Sequence, residues 1–205
     1  MTEHFIPSRR DFLKSGGALV VGFSFTGHSI AAFAEESTAT KPLALTSVDT
    51  FLAIDSASMV TVYSGKVDLG TGVQTALAQI VAEELDVPFG NVKILQGDTA
   101  LTPDQGPTFG SLSIQIGGVQ IRNAAAMAKN TLLELGATRL GVKPDELTIA
   151  DGVVSGGGKQ VSYGELIAGK LFSLTLDHQK PPATKDAKAF KIVGTSVPRG
   201  NPACR

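Results

Sequence analysis

Apolar residues recur at Val73, Leu77, Ile80, Val81 and Leu85, the i, i+4, i+7, i+8 and i+12 spacing that gathers side chains on one helix face. Glu83 and Glu84 fall off the centre of that stripe and read as surface residues, and Val87-Pro88 ends the helix. Before it, Phe51-Leu52-Ala53-Ile54 and Met59-Val60-Thr61-Val62-Tyr63 are β-prone runs joined by a turn at Asp55–Ser58. After it, Val92-Lys93-Ile94-Leu95 reads as a strand, completing a strand–helix–strand unit. A second stripe, Ile121, Ala125, Ala128, Leu132 and Leu135, predicts a helix over roughly 116–140, with Gly141 as its stop. Further on, Leu147-Thr148-Ile149, Val153-Val154 and Gln160-Val161, with a turn at Gly156–Gly158, give a small β-hairpin. Ser162-Tyr163-Gly164-Glu165 then opens a short helix through Ala168 with a capping box, Glu165 serving the cap. The pattern predicts an α+β domain over residues 50–172. A polar, Ala/Thr-rich stretch at 35–49 reads as a linker before it, and the Pro/Lys/Ala-rich tail at 173–205 as a linker after it.

Two places depart from simple alternation. The strand before the first helix runs through Lys66-Val67-Asp68-Leu69 into Gly70-Thr71-Gly72, and the helix starts at once. Such a turn leaves amide N–H groups at a helix N-terminus, where the dipole is positive and an anion or a ring of acceptors is welcome. Thr71 and Gln74 also stand in capping-box relation, so the turn can close without a ligand. The second place is a long irregular segment, Asp98 to about Ser113, whose end (Thr108, Gly110, Ser111, Ser113) leads into the second helix. Two such corners facing one another would make a polar pocket. Gly117-Gly118 would allow close packing or close approach of a ligand.

Composition removes several classes of function. The net charge of −1 gives no basic field, so no nucleic acid is expected as a partner. Cys204 is the only cysteine, and His4, His28 and His178 are scattered, so no residue set has zinc or iron–sulfur spacing.

Residues 1–34 carry an address rather than a fold. Ser8-Arg9-Arg10-Asp11-Phe12-Leu13-Lys14 matches the twin-arginine export signal, followed by an apolar run and Ala32-Phe33-Ala34 as a cleavage site. That route carries proteins exported already folded, often with a cofactor inserted beforehand. A bacterial periplasmic, cofactor-binding protein is the expected class.

Lys66–Thr75, Gln79–Pro88, Gly97-Asp98-Thr99 and Pro103–Ser111, in that order, resemble the molybdopterin-binding region of the xanthine dehydrogenase/aldehyde oxidase molybdenum hydroxylases. The likeness is strongest to the large (beta) chains of the isoquinoline 1-oxidoreductase group and covers about residues 45–198. The resemblance implies hydroxylation of an N-heterocycle or aldehyde with water as oxygen source. It also implies a molybdopterin cytosine dinucleotide cofactor, a [2Fe-2S] small subunit as partner and a membrane cytochrome as candidate electron acceptor. It places Gly70, Thr71 and Gly72 on the family's Gly-Gln-Gly turn beside the metal, with the shorter Thr71 where the family has glutamine. Thr108, Gly110, Ser111 and Ser113 fall on its hydroxyl-rich loop near the pterin. The family's catalytic glutamate lies in a Gly-x-Gly-Glu stretch that this sequence lacks, so no catalytic residue is assigned. The chain is expected to be the N-terminal part of such a large subunit, inactive alone. The alternative is a non-enzymatic periplasmic domain that pairs with a separate chain carrying the catalytic half.

Overall fold

Residues 43–167, 169–177 and 179–199 are described by the computed structural model. The export signal and its cleavage site lie outside the described residues. Helix α1 (Val48–Phe51) leads directly into strand β1 (Leu52–Ile54), which pairs antiparallel with β2 (Val60–Ser64). The expected hairpin turn forms because the Asp55 carboxylate accepts the Ala57 and Met59 amides, each at 2.9 Å. Phe51, expected in a strand, belongs instead to the last turn of α1.

Helix α2 (Val73–Leu85) carries the chain over the sheet to β3 (Val92–Gln96), which runs parallel to β2. This is the expected strand–helix–strand unit, and the sheet order is β1-β2-β3. Val73, Leu77, Val81 and Leu85 are buried as the spacing requires, contributing about 1.5–3 kcal/mol each. The second long helix begins as a wide π-helical segment at Ser113–Gly118 and continues as α3 (Val119–Leu140). Gly141 closes α3 in the left-handed conformation, its amide bonding the Ala137 carbonyl. Ile121, Ala125, Ala128 and Leu132 are fully buried, but Leu135, expected in the same stripe, is exposed.

The predicted small hairpin is a three-stranded antiparallel meander: β4 (Thr148–Ala150), β5 (Val153–Gly156) and β6 (Lys159–Ser162). Its two turns are Asp151-Gly152 and Gly157-Gly158, all at positive φ, the pairing that suits two-residue hairpin loops. Helix α4 (Tyr163–Ile167) follows, and Glu165 caps it by accepting the Ser162 amide and hydroxyl. The Tyr163 ring is buried and its hydroxyl donates to the Leu85 carbonyl at 2.8 Å, tying the meander to the end of α2. Burial, together with the charge of Asp86, pushes this phenol well above its ordinary pKa, so it remains a neutral donor. Tyr163→Phe is expected to lower stability by about 1–2 kcal/mol in urea unfolding, because the Leu85 carbonyl then lacks its partner.

Both expected linkers are corrected at their inner ends. Val48 and Asp49 are buried, and Asp49 accepts the Phe172 and Ser173 amides at 2.6 and 2.8 Å. The far end of the tail, residues 185–199, forms a strap across α2. Glu83 and Glu84, read from sequence as surface residues, are each only 2% exposed. Glu83 accepts three successive amides of the strap, Lys191, Ile192 and Val193, and the Lys185 ammonium. Glu84 accepts the Lys185 amide and the Arg122 side chain, while Lys185 also meets Asp86. Burial opposes the charge on Lys185, but Asp86 and Glu83 hold its pKa above the ordinary lysine value.

Candidate functional site

The turn before α2 is built by Asp68. Its carboxylate accepts the amides of Gly70 (2.9 Å), Gly72 (3.1 Å) and Gln74 (3.2 Å). Burial raises the Asp68 pKa, but the three amide bonds and the more distant Arg199 outweigh it, leaving the group below its usual range. Gly70 (φ 94°) and Gly72 (φ 81°) take conformations that glycine reaches without strain. This corrects two expectations. Thr71 and Gln74 form no capping box, since the cap position is Gly72 and no side-chain bond is made to it. The amides of Gly70, Gly72 and Gln74 are not bare, because Asp68 already holds them.

The second corner is held by two buried polar side chains. Gln105 accepts from the Ser64 hydroxyl and the Gly65 amide through Oε1, and donates to the Gly117 carbonyl and Gln120 through Nε2. Lys66 donates from Nζ to the carbonyls of Gly106 (3.1 Å) and Pro107 (2.8 Å). Thr108 Oγ1 accepts the Val67 amide at 3.2 Å, so the irregular segment lies against the strand extension that leads to the first corner. Gly110 (φ 62°) and Ser111 (φ 59°) then turn the chain into the π-helical segment. Gly117 permits this approach, for a Cβ there would lie 2.8 Å from Lys66 Cγ.

The two corners meet. A cavity of about 400 Å³ lies between them, and Thr71, Gly72, Thr108, Ser111 and Ser113 all line it. Gly72 and Ser111 therefore share one cavity, as the paired-corner expectation requires. Gly70 and Gly110 shape the turns without lining it. The rest of the wall is apolar and was missed by sequence reasoning: Leu69, Val73, Ala76, Phe109 and Ile114. Leu69 and Phe109 are 70% and 64% exposed, so a flat ring entering the cavity would find apolar faces as well as hydroxyls. Asp68 and Lys66 were also missed as builders. The Asp68 signal was present, an Asp two residues before a glycine being an Asx-turn former. No pattern in the chain marks Lys66 as buried.

Residues 15–200 match the molybdopterin cofactor-binding domain family. The chain belongs to that family. A nicotinate dehydrogenase large chain of Pseudomonas putida is 39% identical to this molybdopterin-binding domain over 197 residues, 95% of the chain but 16% of that protein. The beta chain of isoquinoline 1-oxidoreductase from Brevundimonas diminuta is 29% identical over 176 residues, 78% of the chain and 22% of that protein. Among solved structures, quinoline 2-oxidoreductase from Pseudomonas putida 86 superposes with a TM-score of 0.50 at 31% identity. That match covers 57% of this chain and 15% of the other. CO dehydrogenase from Oligotropha carboxidovorans gives 0.52 at 28% identity, over 57% and 15%. The expected likeness to the molybdenum hydroxylases, xanthine dehydrogenases and the beta chain of isoquinoline 1-oxidoreductase is thus established, and these relatives are oxidoreductases. The chain spans less than a quarter of the length of the nicotinate and isoquinoline relatives.

The residues present suit a pterin. Its ring carries acceptors and donors along one edge and a flat face, and the cavity offers four hydroxyl side chains beside exposed apolar ones. Among the described residues no cluster of His, Cys, Asp and Glu could hold a metal directly. In this chain the pterin, rather than protein side chains, would carry the molybdenum.

Proposed function

We propose that the cavity between the two corners is one wall of a pterin dinucleotide site, in the cytosine form, in an exported molybdenum hydroxylase large subunit. Thr71 and Gly72 would face the reactive end of the cofactor. Thr108, Ser111 and Ser113 would hydrogen-bond its pterin and phosphate oxygens, with Gly70 and Gly110 keeping the two turns in shape. When bound, the molybdenum–pterin group supplies two-electron oxidation, here of an N-heterocycle or aldehyde, with water as the oxygen source. This chain's own share is to bind and orient that group and to shield it with Leu69 and Phe109. Electrons would leave through a [2Fe-2S] small subunit to a membrane cytochrome in the periplasm, reached by the twin-arginine signal. The observation that carries the reading is the convergence of Thr71, Gly72, Thr108, Ser111 and Ser113 on one cavity. The family match and the oxidoreductase relatives support it.

The test is to co-produce the chain with the remaining length of a nicotinate dehydrogenase-type large subunit and its small subunit. Molybdenum and released cytidine monophosphate are then measured per complex. Near-stoichiometric amounts are expected, falling at least tenfold in a Thr108→Val/Ser111→Ala variant that still assembles. Equal molybdenum in wild type and variant would overturn the assignment. The chain alone is expected to oxidise no N-heterocycle, and turnover by it unaided would overturn the reading as one lobe of a larger site.

A further inference from the structure

Lys66 is 1% exposed, and its ammonium contacts two backbone carbonyls. None of the ion pairs among the described residues includes it. A buried charge without a counter-charge is costly, and an apolar side chain of the same length would fill the space at no such cost. Its backbone is also fixed, the amide donating to Ser64 Oγ and the carbonyl accepting from the Gln96 side chain. The stem runs past Gly117, where any larger residue would displace it.

The consequence lies in the next peptide. In a trans peptide the carbonyl and the following N–H point in opposite directions, and no peptide in the described chain is cis. With the Pro107 carbonyl drawn inward to Lys66, the Thr108 N–H is turned outward. Thr108 lines the cavity, and among the described residues its amide has no acceptor. Gly106 contributes a second inward carbonyl, and Pro107 has no N–H to offer in competition.

We infer that Lys66 is a positioning residue that aims the Thr108 amide into the cavity and leaves an unneutralised positive charge beneath that wall. The group it prepares for is an anionic, acceptor-rich one of the phosphate ester type. Asp68 gives the opposite end of the cavity the opposite sign, so the two side chains polarise the cavity along its length. This inference rests on the proposed reading of the cavity as a pterin dinucleotide site, and adds to it the residue that sets the anion end.

The 205-residue chain is titrated with inorganic phosphate while amide chemical shifts are followed, and amide hydrogen exchange is measured without ligand. Lys66→Met is compared with Lys66→Gln, which keeps hydrogen-bond donors but not the charge. In the Met variant phosphate affinity at Thr108 and Ser111 is expected to fall at least tenfold, with the Gln variant in between. The Pro107 carbonyl, losing its partner, turns toward water and carries the Thr108 N–H inward. Exchange at Thr108 alone then slows at least tenfold. A merely structural role would instead speed exchange throughout 106–113, and that result, or unchanged affinity and exchange, overturns the inference. Loss of fold in both variants also overturns it, by reducing Lys66 to scaffolding. Slowed exchange at Thr108 without phosphate binding by the wild type upholds the positioning role and removes the ligand assigned to the cavity.

Discussion

Glu83→Ala is expected to lower the unfolding free energy by about 3–5 kcal/mol, because it strips one partner from a buried charged network. Three strap amides, Lys191 (2.8 Å), Ile192 (2.5 Å) and Val193 (3.0 Å), lose their acceptor together, and the Lys185 ammonium keeps only Asp86. Urea unfolding measures the loss, and rapid exchange of the 191–193 amides would show the strap lifting first. A change below about 1 kcal/mol, the range of an exposed ion pair, would mean that the strap is not held by this carboxylate. The effect carries a pH signature. Burial alone would raise the Glu83 pKa, but the Ile192 amide, Lys185 and the Val193 and Lys191 amides reverse this and bring it to about 2, from 4.5. A depressed folded-state pKa stabilises above the unfolded value and is lost as pH falls through the folded one. Wild type should therefore lose on the order of 2 kcal/mol of stability between pH 4.5 and 2 from this group, and Glu83→Ala should not.

Gly65→Ala is expected to act on the site as much as on the fold. A Cβ at position 65 would sit 2.1 Å from the Pro103 carbonyl oxygen and 3.1 Å from the Gln105 amide nitrogen. Both are backbone atoms, so no side chain can swing away and the irregular segment itself must move. The move breaks the Gly65 amide bond to Gln105 and pulls against the Lys66 and Thr108 contacts further along. The expected loss is about 2–3 kcal/mol, at the upper end for overpacking. Faster hydrogen exchange across residues 98–110, with α2 unaffected, should accompany it. An unchanged urea midpoint would show that this segment adjusts freely and does not hold Thr108 in place.

The differences between sequence and structure follow from how far apart interacting groups lie along the chain. Stripes such as Leu77–Val81–Leu85 and Ile121–Ala125–Leu132 were legible because helix periodicity is local, and the Gly141 stop is written in one residue. The convergence of Gly72 and Ser111 was legible as a possibility, since both corners open onto a helix. What occupies the amides was not: Asp68 competes for them from only a few residues away, and capping-box spacing points to Thr71 instead. Glu83 and Glu84 could not be read as buried, because their partners begin at Lys185, about a hundred residues later, in a stretch whose composition resembles a linker. Leu135 shows the reverse error, an apolar residue in register with a stripe but past the point where anything covers it. Lys66 was least legible of all, since a lysine's burial depends on carbonyls turned inward by a proline-bearing loop.

The strap also has a consequence in time. During synthesis Glu83 leaves the ribosome long before Val193, and at ordinary elongation rates about 5–20 s separate the two. Throughout that interval the nascent chain can wind α2 and lay it on the sheet, but the carboxylates at its end remain hydrated and the strap's docking place stays open. This lobe therefore closes only after translation has passed its last tether, and whatever must enter beneath the strap has those seconds in which to arrive.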